Sequence, residues 1–599
     1  MQQEKIKFRS HKKINKHFQV LMGFRLVMVL LFFSLGACGG TSTPSNSEPL
    51  PPQDNQNTGG GSGGQESPTS PGNVGGGSVG AFSFPVVIEE NFDYPDQAGW
   101  PGWVLPEGAP DAASIVDQRA CLQGPANTLL RMVYDTTESY QEIEATYTAF
   151  PQNIHSQGMG FYGPQNGYYL NGGTVPGQGL VAYFEGGSLD DLGFWTEISG
   201  VETKRASVLL NTVLGETVTA EAGFPGDAVF KGRYRVERIA YNQIRLRSKL
   251  WRLEDPEPEL WNLEYIVDTG PGLYSIFHNF AGTIALDVYN YNVAGQACFD
   301  DVVVRDLNPD PLAGVADPVE VASGFGFTEG PVWIAEENTL IFSDITADTL
   351  YAYAHEDGSL QEFRPDQSPD ALANGLARDL NGDLLICEQA QQRLVLRDSE
   401  ANQSVIASGF EGEPFNSPND VIVHSSGAIY MTDPTYGTLF DGGLEALQTL
   451  GFRGIYRIEE DGTVEALYTN AAEQPNGLAF SPDESRAYVA FTDPAEIRAY
   501  QVLGDGSFSE ISGEGFPIAL SSGGDGLKVD QLGNLYVASG NEVRVYSPFG
   551  DEWGSLSLPM PVRNLAFGGP ELKHLYITAG TSLYRTVVNV PGVVLPGSP

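Results

Sequence analysis

Six short segments in the second half of the chain begin with a polar or charged residue, continue with a small or polar residue and end with an apolar one. Their first residues are Glu329, Asn374, Asn419, Asn476, Asp525 and Arg563. Five of these six residues carry a side-chain oxygen, and two are carboxylates. Carboxylate and amide oxygens suit hard divalent cations, with Ca²⁺ first and Mg²⁺, Mn²⁺ or Zn²⁺ as alternatives. The sequence contains no His-x-x-His or His-Glu-x-x-His spacing, which argues against a histidine-rich zinc site.

The spacing of these segments predicts the element that positions them. The third residues of the segments fall at positions 331, 376, 421, 478, 527 and 565, and each segment leads into an alternating strand, a turn and a second strand. A period near 40 to 50 residues with several strands is typical of propeller blades. We therefore predict a six-bladed β-propeller over residues 316–599, with a strand near 317–323 completing the last blade.

In a propeller the innermost strands surround a central channel. The residue just before each inner strand then lies at one mouth of that channel, so the polar residues of the six segments are expected to converge on one axis. A different interpretation treats Asn-Gly and Asp-Gly pairs as ordinary turn residues. At this point both interpretations stay open, although five oxygen donors at one repeat position favour a shared site.

The first 80 residues predict export and attachment to a membrane. Residues 1–37 combine a basic start with the apolar run LVMVLLFFSLGA, the pattern of a secretory signal. Leu35-Gly36-Ala37-Cys38 resembles a bacterial lipobox, which predicts acylation of Cys38 and an exported, membrane-anchored lipoprotein at the outer membrane or cell surface. Residues 38–80 are rich in Gly, Ser, Pro, Asn and Gln, and we expect a flexible linker there.

Residues 81–310 contain short alternating strands separated by Gly, Pro and Asn clusters, which predicts a β-sandwich and an all-β protein. Export permits a disulfide between Cys121 and Cys298, although two free buried cysteines are equally compatible with the sequence. Tryptophans at 100, 103, 195, 251 and 261 could bind carbohydrate rings, while core packing explains them as well.

The formal net charge of −43 makes nucleic acid an unsuitable partner, because both surfaces are strongly negative. Contact with anionic lipid headgroups is unfavourable for the same reason. The membrane is therefore expected to be reached through the lipid anchor alone.

The same segments, taken in order, resemble the SMP-30/gluconolactonase/luciferin-regenerating family over roughly 316–590. The matching stretches are EGPVW from Glu329, NGL from Asn374, FNSPND from Phe415, TDPTYG from Thr432, PNGLAFSPD from Pro475, GDG from Gly524 and AFGG from Ala566. The first folded half resembles concanavalin-like or laminin-G-like jelly rolls more loosely, through its ENFD, KLW and FDDVVV stretches.

The family resemblance implies one metal ion in the channel, held by Glu329, Asn476 and Asp525, and a contact from Asn419 to metal-held water or substrate. Asn374, Asn419, Asp420 and Asp433 are expected to bind substrate, and Asp525 and Asn419 are the candidate catalytic residues. Gln389 stands where many bacterial relatives have histidine. The resemblance therefore constrains the identity of the substrate less than it constrains the metal ligands.

The resemblance therefore implies a metal-dependent hydrolase that opens a lactone or small ester. In that reaction Asp525, or a water held by the ion, supplies the base and nucleophile. The alternatives are a phosphotriester hydrolase and a non-catalytic surface protein with a metal-stabilised propeller and a sugar-binding sandwich.

Overall fold

The computed structural model describes residues 82–594, except for 105–111, 135–139, 153–156, 167–177, 187–190, 199–200, 216–227, 269–281, 291, 293, 365–370 and 438–449. The predicted signal, Cys38 and the whole predicted linker lie outside these residues. None of the described helices has the length and apolar character needed to span a membrane.

The described residues of the first half form two antiparallel sheets and one short helix, Leu210–Leu214. The larger sheet has nine strands: Leu263–Asp268, Gln243–Arg252, Phe230–Ala240, Ile143–Pro151, Gly295–Asp306, Arg119–Gly124, Ala113–Val116 and Gln97–Ala98 in spatial order, with Val86–Glu90 also paired to Gly295–Asp306. The smaller sheet has seven: Val201–Leu209, Asp191–Ile198, Gln178–Glu185, Gln157–Asn166, Thr283–Asn290, Thr128–Tyr134 and Trp103–Val104.

The two sheets share one hydrophobic core. Tyr234 of the larger sheet is fully buried, and its ring centre lies 6.2 Å from that of Phe161 and 6.0 Å from that of Phe194, both in the smaller sheet. Because successive side chains of a strand point to opposite faces, alternation along Phe230–Ala240 supplies one apolar face for this core. The jelly-roll assignment of this half stays a prediction.

Two sequence features of this half have a clear place in the structure. Cys121 and Cys298 face each other on adjacent strands and form a disulfide. Trp100 and Trp103 are buried in the core against Phe92, so core packing accounts for both of them.

The second half forms six four-stranded blades, so the predicted all-β chain with a six-bladed propeller is confirmed. Blade 1 comprises Thr328–Ile334, Thr339–Asp344, Thr349–Ala354 and Leu360–Arg364; blade 2 comprises Ala373–Arg378, Leu384–Glu388, Arg393–Arg397 and Gln403–Ala407; blade 3 comprises Val421–Val423, Ile429–Asp433, Arg453–Ile458 and Val464–Asn470. Blade 4 comprises Gln474–Phe480, Arg486–Asp493, Glu496–Val502 and Phe508–Ile511, with Ile518–Ala519 added at Glu496–Val502; blade 5 comprises Gly524–Val529, Leu535–Ser539, Glu542–Tyr546 and Glu552–Ser557. Blade 6 comprises Val562–Gly568, His574–Ala579 and Ser582–Val587, completed by Val319–Ser323. A small hairpin, Gly409–Phe410 with Glu413–Pro414, follows blade 2.

The propeller closes as the sequence predicts. Val319–Ser323 pairs antiparallel with Ser582–Val587, so a strand from the start of the propeller completes the final blade. The first strands of blades 1 to 6 contact one another in sequence, and the first strand of blade 6 contacts that of blade 1. The six first strands therefore form a closed ring around the central channel.

Close approach between these first strands requires glycine in the polar segments. A Cβ placed on Gly375 would lie 2.4 Å from the carbonyl oxygen of Asn419, and one on Gly477 would lie 2.4 Å from that of Asp525. Both contacts reach the next blade. The glycines therefore lie in or beside the inner strands to permit close packing, rather than forming turns.

Gly477→Ala is expected to destabilise the protein by about 3 kcal/mol, because the new methyl would meet the backbone of Asp525, Gly526 and Leu527. Gly504→Ala is the matched control in the same blade, where the added Cβ meets no atom within 4 Å, and its effect should stay within about 0.5 kcal/mol. Chemical denaturation of both variants measures the difference. Equal stabilities would contradict the packing role of Gly477.

Candidate functional site

The first strands change register at the polar segments. Strand pairing shifts between Glu329 and Val332, between Pro475 and Leu478 and between Gly524 and Leu527. Such irregularities bend a strand and redirect its side chains. The sequence predicts that each of the six polar residues lies just before its inner strand, and this holds only for Asn419, which precedes Val421–Val423. The other five lie within their first strands: Glu329, Asn374, Asn476, Asp525 and Arg563.

The amide of Asn476 has an orientation that its neighbours fix. The hydroxyl of Thr492 donates to the carbonyl oxygen of Gly524 at 2.6 Å, so it accepts from Nδ2 of Asn476 at 3.1 Å. Asn476 also hydrogen-bonds through its side chain to Asp525. Because a carboxylate accepts, both contacts use the NH₂ group, which leaves Oδ1 as an oxygen available to a cation.

Glu329 and Asp525 bring two carboxyl groups into the buried part of the channel. Glu329 is only 5% exposed, and Oε2 accepts from the backbone N–H of Gly330 at 2.8 Å. Burial raises the pKa of Glu329, and the charge of Asp525 raises it further. The pKa of Asp525 is also raised, chiefly by burial, against the opposing effects of Arg563 and Asn476. Two carboxylates that resist ionisation together form a site that favours an added cation.

Of the three expected metal ligands, Asp525 thus interacts with the other two, electrostatically with Glu329 and through a hydrogen bond with Asn476. Across the described part of the chain no cluster of three His, Cys, Asp or Glu side chains has the arrangement of a metal site. The trio contains two carboxylates and an amide, so any cation there would depend on an asparagine oxygen as its third protein ligand.

Arg563 adds a positive charge beside these carboxylates. Its Nη1 lies 3.6 Å from Oδ2 of Asp525, and its guanidinium lies 4.6 Å from the ring centre of Phe327. The side chain of Arg563 is 32% exposed and that of Asp525 is 18% exposed. Asp525 is therefore accessible to a small molecule, whereas Glu329 is nearly covered.

The predicted substrate residues Asn374 and Asn419 lie on neighbouring first-strand segments. Asn374 is 4% exposed, and its Nδ2 donates to Oε1 of Gln389 at 3.4 Å. The backbone of Asn419 is fixed on two sides, since its N–H donates to Thr432 and its carbonyl accepts from Gly375. Nε2 of Gln389 is buried and has no hydrogen-bond partner among the residues that the structure describes. A buried donor of this kind is costly to leave unpaired, and it suits a substrate oxygen.

Asp433 and Asp420, two further predicted substrate residues, are both buried in the structure. The carboxylate of Asp433 is fully buried and accepts from the backbone N–H groups of Asn416 at 2.8 Å and Ser417 at 2.6 Å, and from the amide of Asn416. Asp433 therefore anchors the loop that leads to Asn419. Asp420 is also buried and faces Lys528 at 3.5 Å. Direct substrate contacts from either residue stay a prediction.

Two residues of the site were not identified from the sequence. Asn564 hydrogen-bonds to Glu329, and Lys528 lies 3.5 Å from both Asp420 and Asn564. Asn564 follows Arg563 in the sixth segment, at the position that glycine occupies in four of the other five. This departure from glycine is the feature of the sequence that could have identified Asn564 as a site residue. Asp420, in the third segment, departs from glycine in the same way.

The second half of the chain is similar to known proteins. Residues 327–581 match the family described as SMP-30/Gluconolactonase/LRE-like region. The gluconolactonase of Zymomonas mobilis is 29% identical over 46% of this chain and 83% of its own length. The pentonolactonase of Haloferax volcanii is 29% identical over 42% of this chain and 80% of its own length.

Solved structures match the same half. One that carries a gluconolactonase assignment is 32% identical over 48% of this chain and 96% of that chain, with a TM-score of 0.43. The gluconolactonase of Xanthomonas campestris is 28% identical over 47% and 92% of the two chains, with a TM-score of 0.41. Through residues 327–581, this chain belongs to the SMP-30/gluconolactonase/luciferin-regenerating family.

Proposed function

We propose that the propeller hydrolyses a sugar lactone with the aid of one divalent cation. The observation that carries this proposal is the convergence of Glu329, Asn476 and Asp525 from blades 1, 4 and 5 on one channel. The names of the relatives support the substrate class, since they include a gluconolactonase, a pentonolactonase and a 6-deoxy-6-sulfogluconolactonase.

The residues of the channel fit a hard divalent cation. Glu329 and Asp525 are two carboxylates whose pKa values burial raises, so a positive ion between them would offset the cost of ionising both. The orientation of Asn476 supplies a neutral oxygen, Oδ1, beside them. All three ligands are oxygens, which favours calcium over zinc among the candidates.

When bound, the cation would polarise the lactone carbonyl as a Lewis acid. Asp525 is the more exposed carboxylate, and it accepts the proton of the attacking water. Water adds to the carbonyl carbon, the ring C–O bond breaks, and the released alkoxide takes the proton back from Asp525 to give the hydroxy acid. Arg563 lies beside Asp525 and stabilises negative charge that develops near it.

Substrate recognition is assigned to the side of the channel that carries three amides, those of Asn374, Asn419 and Gln389. The unpaired Nε2 of Gln389 and the neighbouring amide of Asn374 are suited to donate to sugar hydroxyl oxygens. Asp433 contributes by fixing residues 416 and 417, which precede Asn419. Because lactones with different hydroxyl patterns would meet these amides differently, this side of the channel would select among lactones.

We also propose that this activity is located at the cell envelope. We propose that Cys38 is acylated after removal of residues 1–37 and that residues 38–80 tether the folded part to the outer membrane or cell surface. The first folded half is proposed as a jelly-roll sandwich that binds carbohydrate. Trp195 supports that role, because it packs against Tyr183 outside the main core, with Lys204 4.9 Å from its ring centre.

Assay of the full-length chain with aldonolactones, aryl esters and phosphotriesters tests the reaction. We expect acid release from aldonolactones, loss of that release after chelation and recovery on addition of Ca²⁺. Lactone hydrolysis that chelation leaves unchanged would contradict the role of the cation. Turnover of phosphotriesters alone would favour the phosphotriesterase alternative, and no turnover of any substrate would favour the non-catalytic surface protein.

Asp525→Asn is expected to lower kcat roughly 10²–10⁴-fold while the variant still binds the cation, because the amide keeps an oxygen ligand but cannot take the proton. Glu510→Gln, an exposed carboxylate of blade 4, is the control and should retain activity. Steady-state kinetics and calorimetric titration with Ca²⁺ provide the two measurements. Full activity in Asp525→Asn would exclude it as the base.

Cys38→Ser is expected to move the chain from the membrane fraction to the soluble fraction, because the acylated thiol would supply the membrane contact. Immunoblots of fractionated cells measure the distribution, with Cys387→Ser, a buried propeller cysteine, as the control. Retention of Cys38→Ser in the membrane fraction would show that another segment holds the protein there.

A further inference from the structure

A lysine lies on the axis of the propeller beside the carboxylate site. Nζ of Lys528, from the first strand of blade 5, is 3.5 Å from Oδ2 of Asp420 and 3.5 Å from Oδ1 of Asn564. Asp420 belongs to the polar segment of blade 3, and Asn564 to that of blade 6. Because the first strands form a closed ring of six, blades 3 and 6 face each other across the channel. A group that reaches both of them must lie at its centre.

Nζ of Lys528 also donates to the carbonyl oxygen of Leu527 at 3.0 Å. Its two side-chain acceptors, Asp420 and Asn564, are equivalent in the repeat. Oδ1 of Asp420 accepts from the N–H of Val421 at 3.0 Å, and Oδ1 of Asn564 accepts from the N–H of Leu565 at 2.9 Å. The backbone N–H of each residue donates to a threonine hydroxyl of the second strand at 3.1 Å. Two opposite blades thus present the same rigid arrangement, one with a carboxylate and the other with an amide.

Glycine in the other four segments leaves room for this arrangement. Gly375 and Gly526 directly precede blades 3 and 6 around the ring, and a Cβ on either would lie 2.9 Å from Oδ1 of Asp420 or 2.2 Å from Oδ1 of Asn564. The side chains of Asp420 and Asn564 therefore occupy space that glycine leaves open. Lys528 meets both of them with a side chain that is only 18% exposed.

Asp420 and Asn564 both act on the proposed cation ligands. The charge of Asp420 contributes to raising the pKa of Glu329 and of Asp525. Asn564 hydrogen-bonds to Glu329. Since Oδ1 of Asn564 is engaged by Leu565 and faces Lys528, its NH₂ group is the part left to donate to Glu329. The ammonium group of Lys528 thus lies between the carboxylate of Asp420 and the amide of Asn564, which in turn hydrogen-bonds to Glu329.

We infer that Lys528 sets the charge that the channel presents to a bound cation, by neutralising Asp420 so that the ion meets two effective carboxylates rather than three. This inference rests on the proposed function, in which Glu329, Asn476 and Asp525 hold the ion. Two carboxylates balance a divalent ion, whereas three would favour a trivalent one. Lys528 is therefore a specificity-determining residue for the charge of the cation.

The test measures cation binding to the full-length protein, not turnover. Ca²⁺ and La³⁺ are titrated calorimetrically at pH 8 into wild type, Lys528→Met, Lys528→Arg and Asp420→Asn. We expect Ca²⁺ to bind roughly tenfold more tightly to Lys528→Met than to wild type, because a nearby positive charge has been removed. The effect on log Kd should be about 1.5 times larger for La³⁺, since Coulomb energy scales with ion charge. Lys528→Arg should bind like wild type.

Asp420→Asn should change the cation affinity in the opposite direction to Lys528→Met. It therefore keeps the test valid if Lys528→Met does not fold. Without its carboxylate partner, Lys528 should weaken Ca²⁺ binding and should weaken La³⁺ binding more. Arg544→Met is the matched control, because Arg544 is a blade 5 cation paired with Glu542 and Glu552 on the same sheet. Arg544→Met should bind Ca²⁺ and La³⁺ with the same affinities as wild type.

The outcomes separate this inference from the proposed function. If wild type binds Ca²⁺ but the La³⁺ to Ca²⁺ affinity ratio is the same in wild type, Lys528→Met and Asp420→Asn, the role of Lys528 is overturned and the lactonase proposal is untouched. If wild type binds neither ion, both fall. A shift of the ratio in the expected directions supports the role of Lys528 even if no lactone is hydrolysed.

Discussion

The electrostatic repulsion between Glu329 and Asp525 is the constraint on which the functional centre depends. Both carboxylates are held in the channel wall, and burial raises the pKa of each. A protein can tolerate such a pair by protonating it, by pairing it with basic side chains or by binding a cation. Here Arg563 approaches Asp525, and Asn564 hydrogen-bonds to Glu329. A cation between the two would satisfy both at once.

The propeller makes this arrangement possible because it brings residues distant in sequence to one axis. Glycines of the polar segments let neighbouring first strands approach until backbone atoms nearly touch, as at Gly375 beside Asn419 and Gly477 beside Asp525. Strand irregularities at the same positions redirect the side chains. The segment that supplies the ligands is therefore also the segment that packs the blades, so the site and the fold have a common origin.

Much of the second half could be predicted from the sequence because a propeller repeats its pattern. The period of the polar segments predicted six blades, and Val319–Ser323 completes the last blade as expected. What the sequence could not provide is contact across the channel. Lys528 is one residue of an ordinary strand, and its position between Asp420 and Asn564 depends on two opposite blades. Asp433 had the sequence character of a substrate ligand, but its hydrogen bonds to residues 416 and 417 depend on how a loop folds back.

A crystal structure of the protein soaked with Mn²⁺, an anomalous scatterer that oxygen ligands accept, tests the proposed cation site most directly. We expect one strong anomalous peak in the channel, with Glu329, Asp525 and Oδ1 of Asn476 as the protein ligands of the ion. A channel without a peak, or an ion bound elsewhere with the amide of Asn476 reversed, would contradict it.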